Sequence, residues 1–312
     1  MMRAGLSRRA FAAGLLGLGA EPAFAAETRE IALTFDDAPT PDSAALTGEQ
    51  RTRRLIAALK RARVSGAAIF AIGEQAHGQG LARLRAYARA GHVIGNHTNT
   101  HRSANRLSTE EFLADVRQAD DTLSGLPRFR RWMRFPYLDE GDAVAKRDAV
   151  RAGLREMGYA NGYVTVDPWD WCMDYLVRDA VARGDAIDWA IIAEVYADVI
   201  VRSANFMDTL ARRRLGRAPR QVLLLHENDL AVRCIGRAAA RLRAEGWRII
   251  PADQAFADPI AAIEPETLPL NSGRLAALAR IAGASAAEVD TGFRNEARLA
   301  ELLSRGMTPR AG

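Results

Sequence analysis

Two carboxylates stand side by side at Asp36-Asp37, directly after the apolar run Ile31-Ala32-Leu33-Thr34-Phe35. Adjacent carboxylates repel, and burying both is costly unless a cation or an arginine neutralises them. Taken alone, such a pair is more often a solvated turn or a helix cap. His97 and His101 follow a second strand-like run. Their spacing of four predicts both imidazoles on one side of a helical turn, within reach of a shared metal ion, although His-x-x-x-His also arises by chance. His226 ends the run Val222-Leu223-Leu224-Leu225, a position where catalytic groups often sit and where a satisfied core histidine is the commoner outcome. Of the five histidines, His77 (in a glycine-flanked loop) and His92 (in a strand) are given no role. Two further runs hold comparable places, Arg134-Phe135-Pro136-Tyr137 and Asp167-Pro168-Trp169-Asp170-Trp171. Individually, that arginine could be a surface ion pair and those tryptophans packing.

The elements that must position these groups are legible as alternating periods. Strand-like runs recur at 29–35, 66–72, 92–96, 160–166, 221–225 and 247–250. Between several of them lie helical faces, such as Leu55, Ile56 and Leu59; Leu81, Leu84 and Ala88; and Phe112, Leu113, Val116, Ala119 and Leu123. Strands alternating with helices imply parallel pairing in a wound sheet or barrel, whose sites form at the carboxyl ends of the strands. Residues 172–220 interrupt the rhythm as a long, mostly helical insertion. Beyond Pro251 the chain turns to Pro-spaced segments and two short amphipathic helices, 272–282 and 285–305, which are expected to form an appended cap.

With 312 residues, 48% hydrophobic and 26% charged, the chain is of a size and composition for one large folded α/β domain rather than a disordered one. The formal charge of +5 includes a net +2 within residues 1–25, and no basic stripe interleaved with aromatics occurs, so a nucleic-acid partner is not expected. Those first 25 residues read as a signal peptide. Arg3, Arg8 and Arg9 precede the apolar run 10–20, Ala23-Phe24-Ala25 supplies a small-x-small cleavage pattern, and Ser7-Arg8-Arg9-Ala10-Phe11 is similar to a twin-arginine signal. The expected product is periplasmic or secreted, without a stable membrane anchor. Cys172 and Cys234, the two cysteines, are expected to be structural.

Taken in order, Thr34-Phe35-Asp36-Asp37, His97-Thr98-Asn99-Thr100-His101, Arg134-Phe135-Pro136-Tyr137, Asp167-x-x-Asp170-Trp171 and Leu224-Leu225-His226 closely resemble the five ordered motifs of the polysaccharide deacetylase family (carbohydrate esterase family 4, the nodulation-protein-B homology domain). The resemblance implies an α/β fold, a distorted (β/α) barrel, with the catalytic domain over 26–252, the insertion at 172–220 and a C-terminal helical extension over 253–312. It implies a divalent metal held by Asp37, His97 and His101, with zinc expected ahead of cobalt, nickel or manganese. Asp36 would be the general base, held by Arg134; His226 would be the general acid, with Asp167 supporting its charged form. The backbone N–H of Tyr137 would stabilise the oxyanion, and Trp171 and Leu224 would wall a pocket for the acetyl methyl. Thr98 and Thr100 would give the histidine segment polar support.

The implied activity is removal of N-acetyl groups from chitin-like or peptidoglycan glycans, or of O-acetyl groups from xylan-like ones. A non-catalytic glycan-binding protein of the same fold and a metal-dependent hydrolase of a non-carbohydrate amide are the alternatives. Two departures from the family pattern stand out. Ala38 takes the place of a common glycine after the paired aspartates, and Glu227 replaces a more usual aspartate after His226.

Overall fold

A computed structural model describes residues 28–268 and 271–310; the signal-peptide expectation lies outside them. The first apolar run forms β1 (Arg29–Ala38), buried continuously from Ile31 to Asp36 as a strand covered on both faces must be. Four crossovers follow: α1 (Gly48–Arg61), β2 (Ala68–Ala71), α2 (Gln79–Arg89), β3 (Val93–Asn96), α3 (Thr109–Leu123), β4 (Phe129–Met133), α4 (Val144–Glu156) and β5 (Ala160–Asn161). Helices α1 and α3 each begin with a reciprocal capping box, Thr47 with Gln50 and Ser108 with Glu111, so their start points are written locally.

The chain then runs through α5 (Asp170–Arg183), β6 (Ala186–Ile187) and α6 (Trp189–Leu215), and returns to the sheet as β7 (Gln221–His226). Helix α7 (Asp229–Ala244), β8 (Trp247–Ile249) and α8 (Ala252–Phe256) complete the wound part. All pairs in the seven-stranded sheet are parallel, in the order β5-β4-β3-β2-β1-β7, with β8 beside the first three residues of β1. The sheet curls until residues 160–166 touch both its edges: Ala160 and Asn161 pair with β4, while Val166 bridges to Leu223 of β7. This is the expected distorted barrel, closed by one short segment and ringed by helices.

Helices α9 (Gly273–Ile281) and α10 (Glu296–Ser304) and strand β9 (Met307–Thr308) form the tail. The tail packs α9 on α6 and α10 on α5 and α6, and β9 pairs antiparallel with β6, fastening the insertion to the C-terminal end. The helix expected over 285–305 is shorter. A single 3-10 turn at Ala287–Val289 and an irregular stretch through Gly292 (φ 74°) precede α10, because Asp290-Thr291-Gly292 favours a turn. Both cysteines are buried and free, and among the described residues no helix is long and apolar enough to cross a membrane.

Candidate active site

The motif residues collect where neighbouring strands end. Parallel register pairs Asp36 of β1 with His226 of β7, so the two candidate proton carriers sit on adjacent strands. His97 directly follows β3 and Arg134 directly follows β4, and the Arg134 N–H donates to Asn96 O (3.0 Å). Asp37 turns out of the ladder at φ 67°, a left-handed conformation that Asp tolerates better than most residues. Successive side chains of β1 point to opposite faces, so this twist lets both carboxylates serve one cleft.

His97 and His101 do come together, with ring centroids 4.8 Å apart, but not on a helix. The segment is a loop with left-handed residues at Thr98 (φ 62°) and His101 (φ 54°), which corrects the expected helical turn. Its shape is fixed by side chains. Thr98 Oγ1 accepts from His101 N (2.9 Å), Asn96 Oδ1 accepts from Thr98 N (2.8 Å), and Asp115 Oδ2 accepts from Asn99 N and Thr100 N (3.2 and 3.1 Å). Thr98 therefore gives the expected support through its hydroxyl, whereas Thr100 contributes its backbone.

Asp37, His97 and His101 offer three ligand-type atoms all within 4.8 Å of one another. Asp37 Oδ1 lies 3.4 Å from His97 Nε2 and 3.2 Å from His101 Nε2, and it is buried without a hydrogen-bond partner. His97 Nδ1 is 2.7 Å from Arg134 O. A carbonyl can only accept, so Nδ1 carries a proton and Nε2 is the nitrogen turned toward the carboxylate. Two imidazole Nε2 atoms gathered around one carboxylate oxygen form a donor set that a metal ion could share. Burial would raise the Asp37 carboxyl, yet His101 and His97 more than offset it and hold it well below the ordinary carboxylate range. Among the described residues this is the one group of three or more His, Cys, Asp or Glu side chains that could hold a metal ion.

Asp36 is fixed by Arg134, as expected. The buried guanidinium donates from Nη1 to Asp36 Oδ1 (2.8 Å) and from Nη2 to Thr34 Oγ1 (3.2 Å), and it lies over the Phe70 ring. Asp36 Oδ2 remains on the metal-cluster side, 3.7 Å from His97 Nε2.

His226 is held by a residue other than the expected one. Its Nδ1 is 2.7 Å from Asp170 Oδ1, and Asp170 Oδ2 also accepts from the His226 N–H (3.0 Å) and from Asn228 Nδ2 (3.2 Å). Burial acts to lower the imidazole pKa, but the Asp170 carboxylate, with Asp37 and Asp36 adding, pushes it up to about 10. Asp167, assigned this support from the sequence, accepts from Trp169 N (3.1 Å) and faces Arg294 Nε at 3.9 Å. Burial raises its own pKa. The reason for the difference is Trp169, left-handed at φ 58°, which turns the chain so that α5 starts with Asp170 directed back at β7.

A cleft of about 360 Å³ joins these groups. Leu224 and Trp171 line it, as expected, together with Tyr137 and Trp169. Tyr137 sits in left-handed backbone (φ 58°), its ring 4.9 Å from that of His101. The sequence reading quoted Trp169 and Asp170 without giving either a role in the cleft, and it left out Asn271 and Arg294. Asp170 lay in a quoted motif, but Asn271 and Arg294 lie in the tail with no local signal. Glu227 does not enter the cleft. It is fully buried behind it, bound by Arg83 Nη2 (2.8 Å), Tyr87 Oη (2.6 Å), Thr52 Oγ1 (2.9 Å) and Thr40 N (2.7 Å), which ties down the loop after Asp37.

Residues 25–161 match the family model described as polysaccharide deacetylase. A peptidoglycan-N-acetylglucosamine deacetylase of Bacillus cereus is 25% identical over 225 residues, 70% of this chain and 84% of its own length. A chitooligosaccharide deacetylase of a Bradyrhizobium species is 31% identical over 160 residues, 50% of this chain and 66% of its own. The crystal structure of the Bc1960 peptidoglycan N-acetylglucosamine deacetylase, bound to 4-naphthalen-1-yl-N-oxidanyl-benzamide, shares the fold with a TM-score of 0.50 at 22% identity, covering 73% of this chain and 88% of that one.

Proposed function

From the match of residues 25–161 to the polysaccharide deacetylase family model and the likeness to curated deacetylases, we propose that the chain is a metal-dependent hydrolase that removes acetyl groups from a polysaccharide or oligosaccharide. The observation that carries this reading is the unbonded Asp37 Oδ1 facing the Nε2 atoms of His97 and His101. One carboxylate and two imidazoles suit zinc, or cobalt, nickel or manganese, with positions left for water and substrate. A divalent cation held there supplies Lewis acidity.

The chain's own groups do the proton work. Asp36 keeps one oxygen on Arg134 and turns the other, Oδ2, toward the cluster, where it accepts the proton of the attacking water. Water oxygen bonds to the acetyl carbon, and the backbone N–H of Tyr137 donates to the oxyanion that results. His226, with Nδ1 fixed by Asp170, has Nε2–H to give to the leaving amine or alcohol as the acetyl bond breaks. Acetate departs, and the Asp36 and His226 protonation states are restored through solvent. Leu224 and Trp171 border the space for the methyl group.

An amide and an ester pass through the same oxyanion, so the substrates proposed are N-acetylated chitin-like or peptidoglycan glycans and O-acetylated xylan-like glycans. Export of the mature protein rests on the pattern of residues 1–25. Acetate release from this panel, with and without chelator, is the test. Turnover that vanishes on chelation and returns with zinc is expected; release that survives complete metal removal refutes the reading.

A further inference from the structure

Resting on that reading, we propose that Arg294, brought to the cleft by the C-terminal extension, selects acetylated glycans that carry a carboxylate on or beside the acetylated sugar. Arg294 and Asn271 line the same cleft as Asp36, His101 and His226, although they come from the tail, beyond the residues that match the family model. Arg294 directly precedes Asn295, the N-cap of α10, and α10 is packed on α5 and α6. The side chain is therefore carried by a fastened element and not by a free end.

Its guanidinium is held in place while keeping donor capacity. Nη2 donates to Asn271 O (2.7 Å), and the cation lies 5.6 Å from the Trp169 ring centroid. Asp167 is at the outer limit of an ion pair, 3.9 Å from Nε, and Nε is buried with no hydrogen-bond partner. A buried donor without an acceptor is costly, and a planar fork of N–H groups is suited to a carboxylate. The side chain is 24% exposed, so a ligand in the cleft can reach it. With a divalent cation on Asp37, His97 and His101, the cleft also favours an anionic substrate over a neutral one.

A lactyl ether and a uronate are two forms in which acetylated glycans carry a carboxylate, and the test covers both. Zinc-loaded enzyme is assayed for acetate release on an N-acetylated glucosaminyl-muramyl tetrasaccharide and an O-acetylated glucuronoxylan oligosaccharide, each as free acid and as methyl ester. Tetra-N-acetylchitotetraose serves as the neutral reference. The expected result is a kcat/KM about 10-fold or more higher for the acid than for the ester in at least one pair. Arg294→Gln should abolish that preference, with the acid losing about 10-fold more than the ester and the neutral substrate, and Arg294→Lys should retain part of it. Calorimetry on the metal-free protein should show the carboxylated tetrasaccharide binding more weakly to Arg294→Gln, which removes any contribution from carboxylate on the metal. Equal turnover of acid and ester in both pairs overturns the proposal, as does an equal loss on all substrates in Arg294→Gln, which marks a structural role through Asp167. If none of the five substrates releases acetate, the deacetylase reading fails with it; if a neutral or esterified substrate is turned over and the acid is no better, only the role of Arg294 fails.

Discussion

Replacing Asp170 with asparagine isolates the group that keeps His226 protonated. The carboxylate oxygen lies 2.7 Å from Nδ1, which places the two charge centres about 4 Å apart. At the effective dielectric of such sites that attraction is worth about 4 kcal/mol, or about 3 pKa units. The side chains of His226 and Asp170 are 16% and 1% exposed, so solvent screens the pair little. The rise of the imidazole from 6.5 to about 10 is of the same size. A cation on Asp37 weakens the pull from Asp37 and Asp36, so the shift between variants is the diagnostic quantity rather than the absolute value. In a profile of kcat/KM for acetate release against pH, the alkaline limb should fall by about 2 to 3 units in Asp170→Asn. In Asp167→Asn it should move by well under 1 unit, since no hydrogen bond joins Asp167 to His226. The pair also links to stability. A pKa raised on folding contributes stabilisation that is complete below about 6.5 and is lost as pH rises through about 10. Wild-type unfolding free energy should therefore decline across that window, and Asp170→Asn should lack the decline. An unmoved limb in Asp170→Asn, or a larger shift in Asp167→Asn, refutes the assignment of Asp170.

Three other outcomes are expected. Asp36→Asn should lower kcat by about 100-fold to 10,000-fold while zinc content per chain stays at the wild-type value, because a base is lost and no ligand is. His101→Ala should weaken zinc binding by more than about 100-fold, the upper range for losing a mere outer-sphere partner, as read by competition with a chelating dye. Glu227→Ala leaves the Arg83 guanidinium buried without its counter-charge, so urea unfolding should show a loss of about 3 to 5 kcal/mol.

Much of this was written in local pattern. Strands β1, β2, β3, β7 and β8 follow from apolar runs, and α1, α2 and α3 from helical faces, because buried parallel strands and amphipathic helices leave different periods. β4 escaped because Arg130 and Arg131, both exposed, break its apolar run. The positions of Asp36, Asp37, His97, His101 and His226 were legible because each ends or follows a strand-like run, and the curl of the sheet brings strand ends together, whereas Arg134 was legible only from its motif. What failed was finer. A spacing of four cannot distinguish a helical turn from the loop that two left-handed residues make at Thr98 and His101. Likewise nothing local tells which carboxylate of Asp167-x-x-Asp170 faces the imidazole, since one backbone angle at Trp169 decides it. Arg294 had no signal at all, because its place depends on how α10 docks.

The segment at 160–166, which touches both sheet edges, sets an order of assembly. Its first contact, with β4, uses chain already made nearby, whereas its second waits for β7, which is separated from it by the entire α5–α6 insertion. Asp37, His97 and His101 belong to strands laid down before that wait. His226 arrives with the strand that ends it. On the proposed reading, a nascent chain halted short of β7 would carry Asp37, His97 and His101 and still lack His226, so metal binding and turnover would be acquired separately.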